Sequence, residues 1–295
     1  MNKIAVISHD AGGAEILSHW LKRQDYIFST VLKGPAVKVF KNNNIQESNN
    51  NLFEAIKDAN FVITGTSWQS NLEKEAIYIA KKMGIYTISF LDHWVNYEER
   101  FIYNNKLILP DEIWVTDKFA FDLAKNIFKK TTIKRKHNYY LNNLKKIIEK
   151  KIIKNKTVNQ NFKGLFIGEN ISEHALLNTG KIDGFGFTEQ DSLKFLLDNI
   201  CNLKIKVSNL KIRPHPSDIK DKYNWTRKNK IVTEISNNNT LVDDILESNI
   251  IFGCESFAMV IGLLANKKVV SCIPNSEKKC SLPYPKIIPL RDIIV

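Results

Sequence analysis

Lys211-Ile212-Arg213-Pro214-His215-Pro216 is the stretch on which the fold turns. Residues 207–212 read as a short strand, and the two prolines end it by removing ladder N–H groups and fixing φ. The imidazole of His215 therefore rides on a stiff turn beside the guanidinium of Arg213. In open α/β sheets ligands bind at the carboxyl ends of strands, so this turn is a place where an anionic leaving group can be held and protonated. The plain alternative is a proline-punctuated loop with a surface histidine.

Outward from that turn, short apolar runs alternate with amphipathic stretches, as a parallel sheet covered by helices requires. In the second half, strands are expected at residues 164–167, 207–212, 231–233, 249–252 and 268–272, with helices at 188–202, 240–247 and 256–264. In the first half, strands are expected at 3–8, 26–31, 61–64, 86–90 and 112–115, with helices at 14–23, 52–58, 71–83 and 118–128. Two β/α series in 295 residues imply an α/β protein of two Rossmann-like domains meeting across a cleft. The expected boundaries are 1–140 for the first domain, 141–162 for a basic linker helix and 163–295 for the second domain.

Within the linker, Leu141, Leu144, Ile148 and Ile152 fall at helical spacing among lysines, which suits a solvated helix packed on one domain. A basic amphipathic contact with a membrane surface is the alternative. Formal charge is +12, from 43 Lys+Arg against 31 Asp+Glu, and favours anionic partners. RNP, KH and helix-turn-helix signatures are missing, which argues against nucleic acid. Cys201, Cys254, Cys272 and Cys280 show no metal-ligand spacing, so reduced structural thiols and no metal are expected. Polar Asn2 and Lys3 lead directly into Ile4, no apolar run approaches about 18 residues, and the expected location is cytoplasmic.

Several strand-end loops carry chemistry. The first strand runs into Ser8-His9-Asp10-Ala11-Gly12-Gly13-Ala14-Glu15, where paired glycines admit a ligand to the backbone and His9 and Asp10 can exchange a proton. Asp10 as helix N-cap is the bland reading. The fourth strand ends in a second acid–histidine pair, Asp92-His93, and strand order in such folds is expected to bring the two pairs together. The third ends in Thr64-Gly65-Thr66-Ser67-Trp68-Gln69-Ser70-Asn71, whose hydroxyls and amides, Ser67 among them, suit a sugar.

In the second half, Gly168-Glu169-Asn170 opens a long loop holding Glu173, a carboxylate with no packing reason to be there. Thr188 and Asp191 resemble a capping box and are structural. Gly253-Cys254-Glu255-Ser256-Phe257 puts Ser256 at a helix N-terminus, where a hydroxyl and free N–H groups face an anion.

A strand, a His-Pro turn, a further strand and a Glu-Ser helix start, in that order, resemble the two-domain glycosyltransferases of the GT-B type. More narrowly, they are similar to bacterial transferases of CMP-activated acidic sugars, the sialyltransferase-like enzymes. The resemblance implies that His215 contacts the CMP phosphate and Ser256 helps bind it, with Gly168, Arg213, Pro216, Glu255 and Phe257 around the nucleotide. His9, Gly12, Gly13, Ser67, Asp92 and His93 would face the acceptor.

The family's acid–glycine base motif is not reproduced. Gly168-Glu169 has the reverse order and Asp183-Gly184 lacks the second acid, so Asp10 ranks first as base and Glu173 second. The implied activity is metal-independent, inverting transfer of a nonulosonic-type sugar from a CMP donor to a glycan or glycolipid, with no cofactor. A UDP-sugar 2-epimerase-like or CDP-polyol phosphotransferase-like enzyme is the alternative, and a nucleic-acid-binding protein a remote one.

Overall fold

The structure is a computed structural model that describes residues 3–67, 70–154, 162–236, 238–275 and 277–295. Trp68 and Gln69 of the third strand-end loop, residues 155–161 of the expected linker and Asn237 lie outside the described residues. The chain divides into two compact units, Met1–Asn143 and Leu144–Val295.

In the first unit the order is β1 (Lys3–Ser8), α1 (Ala11–Leu21), β2 (Ile27–Leu32), α2 (Pro35–Asn42), α3 (Leu52–Ile56), β3 (Phe61–Thr64), α4 (Leu72–Lys82) and β4 (Tyr86–Phe90). A small antiparallel pair, β5 (Ile102–Tyr103) and β6 (Lys106–Leu107), precedes β7 (Glu112–Val115), α5 (Lys118–Ile127) and β8 (Thr132–Arg135). Among the described residues these build a six-stranded sheet in the order β2-β1-β3-β4-β7-β8, with every recorded pairing parallel. Both faces of β1 are buried. Ile4 and Val6 pack into one core with Trp20, Phe90 and Trp114, while Ala5 and Ile7 pack into another with Ile56, Val62 and Ala76. Burial on both faces is what an uninterrupted apolar strand in a parallel sheet records.

Helix α6 (Tyr139–Lys154) contains the boundary between the units. Leu144 and Ile148 are buried and Ile152 is 45% exposed, so the apolar stripe is covered along part of its length only. Among the described residues, no helix is long and apolar enough to cross a membrane.

The second unit continues with β9 (Lys163–Ile167), α7 (Ile171–Thr179), α8 (Glu189–Asn199), β10 (Asn209–Arg213), β11 (Val232–Ile235), α9 (Leu241–Glu247), β12 (Ile250–Gly253), α10 (Phe257–Leu264), β13 (Lys268–Ser271) and β14 (Ile287–Pro289). Its described sheet also has six strands, in the order β11-β10-β9-β12-β13-β14, all parallel. Phe166, Leu210, Ile212, Ile250, Phe252 and Val270 fill a core beneath it. Thr188 and Asp191 form the capping box of α8.

Three expectations change. The first and fourth strands are neighbours in the second unit but not in the first, where β3 lies between β1 and β4. Glu173 is not in a long loop: it sits in the first turn of α7, a helix closed by Gly180 at φ +74°, the left-handed conformation that favours glycine. Strands β8 and β14 are additions.

Candidate functional site

The two sheets change their direction of winding at different points. In the first unit the chain winds outward on both sides of β1/β3, and in the second on both sides of β9/β12. Such switch points open crevices at the carboxyl ends of strands, and the loops singled out by sequence lie there.

In the first unit, Gly13 and Gly65 let the β1 and β3 loops touch. A Cβ on Gly13 would lie 3.1 Å from the Gly65 Cα. His9 Nδ1 stands 2.7 Å from Asp10 Oδ1, and the His9 ring rests against Gly34. Asp10 is the N-cap residue of α1, yet its side chain makes no cap hydrogen bond; it is turned to His9 instead. Burial, with the Asp92 charge adding to it, pushes the Asp10 carboxyl above the ordinary carboxylate range, against the pull of His9 and Arg100. Asp92 reaches across β3 to lie over Gly12, where a Cβ would meet its Oδ2 at 2.2 Å.

The expected Asp92–His93 dyad gives way to another arrangement. Asp92 Oδ1 accepts from Arg100 Nη1 and from Thr66 Oγ1, each at 3.2 Å, while the His93 ring lies beside Trp94. Ser67 is fully buried and donates to Glu73 Oε2 at 2.7 Å, which takes it out of reach of a sugar. Glu73 also accepts the His9 backbone N–H at 2.7 Å, and burial pushes its carboxyl up. Neither Glu73 nor Arg100 was legible as a site residue. Glu73 reads as an ordinary first-turn acid, and Arg100 follows two glutamates in a stretch that looks solvated.

In the second unit, Gly168 follows β9 and packs against the His-Pro turn. A Cβ there would lie 2.8 Å from Tyr223 Oη, and 3.1 Å from both the Arg213 carbonyl and His215 N. Gly168→Ala should therefore displace the turn and destabilise the second unit by about 1 kcal/mol or more, as overpacking does, read from urea denaturation.

His215 is held by local contacts. The Ser217 hydroxyl lies 2.7 Å from its Nδ1 and the Ser217 backbone N–H donates to the same nitrogen at 3.3 Å. A backbone N–H can only donate, so Nδ1 is the acceptor and the ring carries its proton on Nε2. Burial holds the imidazole below its ordinary pKa, and at neutral pH His215 is a neutral Nε2–H donor. Asn170 Nδ2 donates to Ser217 Oγ at 3.1 Å and also reaches Glu173, which is exposed. Pro216 is exposed on the turn.

Arg213 does not flank His215 as a free cation. Its Nη1 engages Asp244 Oδ2 and the Asn239 carbonyl, and Lys211 Nζ pairs with Asp244 Oδ1 at 3.0 Å. Asp244 is fully buried and Arg213 only 14% exposed, and although Lys211 keeps Glu234 as a second partner at 2.7 Å, removing this carboxylate strips the Arg213 guanidinium of its anion. Asp244→Ala should lower unfolding free energy by about 3 kcal/mol or more, read from urea denaturation.

Ser256 is the N-cap of α10, its Oγ accepting from Ala258 N–H at 3.0 Å, and Phe257 begins that helix. The N–H groups just before it are not open. Glu169 Oε1 accepts from Cys254 N–H at 2.6 Å and from Glu255 N–H at 3.1 Å. Glu255 Oε1 pairs with Lys278 at 3.4 Å, and its Oε2 accepts from Ser281 N–H at 3.2 Å. Cys254 and Cys272 are buried thiols whose pKa values burial pushes far up, whereas Cys201 is exposed. Among the described residues, no group of three or more His, Cys, Asp or Glu side chains is placed to hold a metal ion.

No protein-family model and no curated protein matches the chain. Solved structures do. The UDP-GlcNAc 2-epimerase from Methanocaldococcus jannaschii superposes with a TM-score of 0.64 at 12% identity, covering 97% of this chain and 88% of that one. The S. aureus MnaA–UDP co-structure gives 0.60 at 12% identity, over 92% and 79% of the two chains. A glycosyltransferase from Rickettsia africae gives 0.52 at 15% identity, over 92% and 79%. Two α/β domains with parallel six-stranded sheets are thus a GT-B-like fold.

Proposed function

We propose that the chain is an enzyme acting on a nucleotide sugar, with a UDP-sugar 2-epimerase-like activity as the leading reading. The observation that carries it is His215, a neutral imidazole whose protonated Nε2 is fixed by Ser217 at the strand-end turn beside the β9/β12 switch point. A donor of that kind stabilises negative charge developing on a departing diphosphate oxygen. Support for the epimerase reading comes from the superposable structures, one of them in complex with UDP-GlcNAc and UDP.

In this reading the second unit holds the nucleotide through His215, Glu255 and Ser256. Epimerisation at C2 needs a base that removes the C2 proton so that one can return to the opposite face, and Asp10, raised in pKa and free of capping duty, is our assignment. Incubation with UDP-GlcNAc in D₂O, followed by proton NMR, is the test. Deuterium entering C2 together with a second epimer is the expected outcome; recovery of unlabelled UDP-GlcNAc overturns the epimerase reading.

Transfer of an acidic sugar from a CMP donor is the second reading. It is favoured by the order of the Arg213-Pro214-His215-Pro216 turn and the Glu255-Ser256 helix start, and by the likeness to a glycosyltransferase fold. It uses the same groups, with Asp10 or Glu173 deprotonating an acceptor hydroxyl and the anomeric centre inverting without metal. CMP release that depends on acceptor, with no deuterium at C2, separates it from the first.

A further inference from the structure

Glu169 lies at the end of β9, on the switch point, with its carboxylate against the turn that carries Glu255 and Ser256. The two oxygens are used unequally. Oε1 accepts both Cys254 N–H at 2.6 Å and Glu255 N–H at 3.1 Å, whereas Oε2 shares the Glu255 N–H at 3.1 Å, and the Ser256 N–H also faces the carboxylate. A proton added to Oε2 therefore leaves the turn's main acceptor in place. Gly253 makes the room: a Cβ there would stand 3.3 Å from Oε1.

We propose that Glu169 takes up a proton when an anionic nucleotide docks on the second unit, changing from the turn's resident anion into a hydrogen-bond donor. The inference rests on the sugar-nucleotide reading above. The titratable groups around Glu169 are Glu255, tied to Lys278, and the thiols of Cys254, Cys272 and Cys280. Burial, opposed by the turn's N–H groups and reinforced by the Glu255 charge, pushes the carboxyl up to about 7. An incoming phosphate adds like charge, which favours the neutral acid. The proton comes from solvent, and no covalent bond besides its own O–H changes.

The sign follows from linkage. With the bound-state pKa above the free-state value, the gain in affinity is complete below about pH 7 and is lost as pH rises through the bound-state value. Calorimetry with UDP-GlcNAc near pH 7.5, in two buffers of different ionisation heat, should show uptake of a fraction of a proton by the wild-type protein. Glu169→Gln keeps an amide acceptor but has no proton to take, so it should bind without uptake. Should Glu169→Gln fail to fold, difference infrared spectroscopy of the wild-type protein should show a protonated-carboxyl band appearing on binding. Binding without uptake, or uptake that survives Glu169→Gln, overturns this inference alone. A wild-type protein that binds no UDP-GlcNAc overturns the UDP-sugar reading and this inference with it.

Discussion

A folded His215→Ala protein turns over at least about 10²-fold more slowly than wild type, the loss that follows removal of a positioned donor to a leaving group. The size of the effect comes from pre-organisation. Ser217 fixes the tautomer and burial keeps the ring neutral, so under the reading proposed above the Nε2–H is already set to donate to a departing oxygen. Measured as kcat with UDP-GlcNAc or a CMP-sugar, whichever the protein consumes, an unchanged rate would remove His215 from the chemistry.

Asp10→Asn abolishes turnover, by about 10²-fold or more, while calorimetric UDP binding stays nearly intact, because in the proposed reading the groups that hold the nucleotide belong to the second unit. An active Asp10→Asn beside a dead Glu173→Gln transfers the base to α7. The pH profile carries a second mark. Burial, and then Asp92, raise the Asp10 pKa, and a base works only when ionised, so activity falls as pH drops through that raised value. Replacing Asp92 with Asn removes one of the raising charges and should move this acid limb to lower pH. An acid limb that stays in place would show that another group titrates.

Interior strands were legible because both of their faces are buried. Residues 3–8 and 61–64 were read with the same limits the structure gives β1 and β3. The borders of the sheets were not. Thr132-Ile133-Lys134-Arg135 offers one apolar residue and was assigned to no strand, yet it pairs with β7 as the edge strand β8, and edges tolerate charge because one side faces solvent. Ile287-Ile288-Pro289 is three residues ending in proline, again an edge. Helix α7 escaped because only Ile171 and Ala175 of its residues are buried, too sparse a stripe to show a period.

The candidate site divides along the same line. Residues at strand ends were singled out from local pattern, including His215, Asp10, Gly12 and Ser256. Their partners come from elements distant in the chain. Glu73 meets His9 across 64 positions and Glu169 meets Cys254 across 85, and no local spacing announces such meetings. Arg213 shows the converse: its place beside His215 in sequence suggested a shared ligand, but the guanidinium is committed to Asp244.

The sulfur chemistry of the molecule is partitioned by the same burial. Since the thiolate is the reactive form, Cys254 and Cys272, held as neutral thiols under the switch point, are poor targets for alkylating agents and peroxide, whereas exposed Cys201 is open to both. Oxidative damage should then register first at the surface rather than beside the turn of Glu255 and Ser256. A single-turn thiol label at Cys201 can report on the protein without touching the turn that holds Glu255 and Ser256.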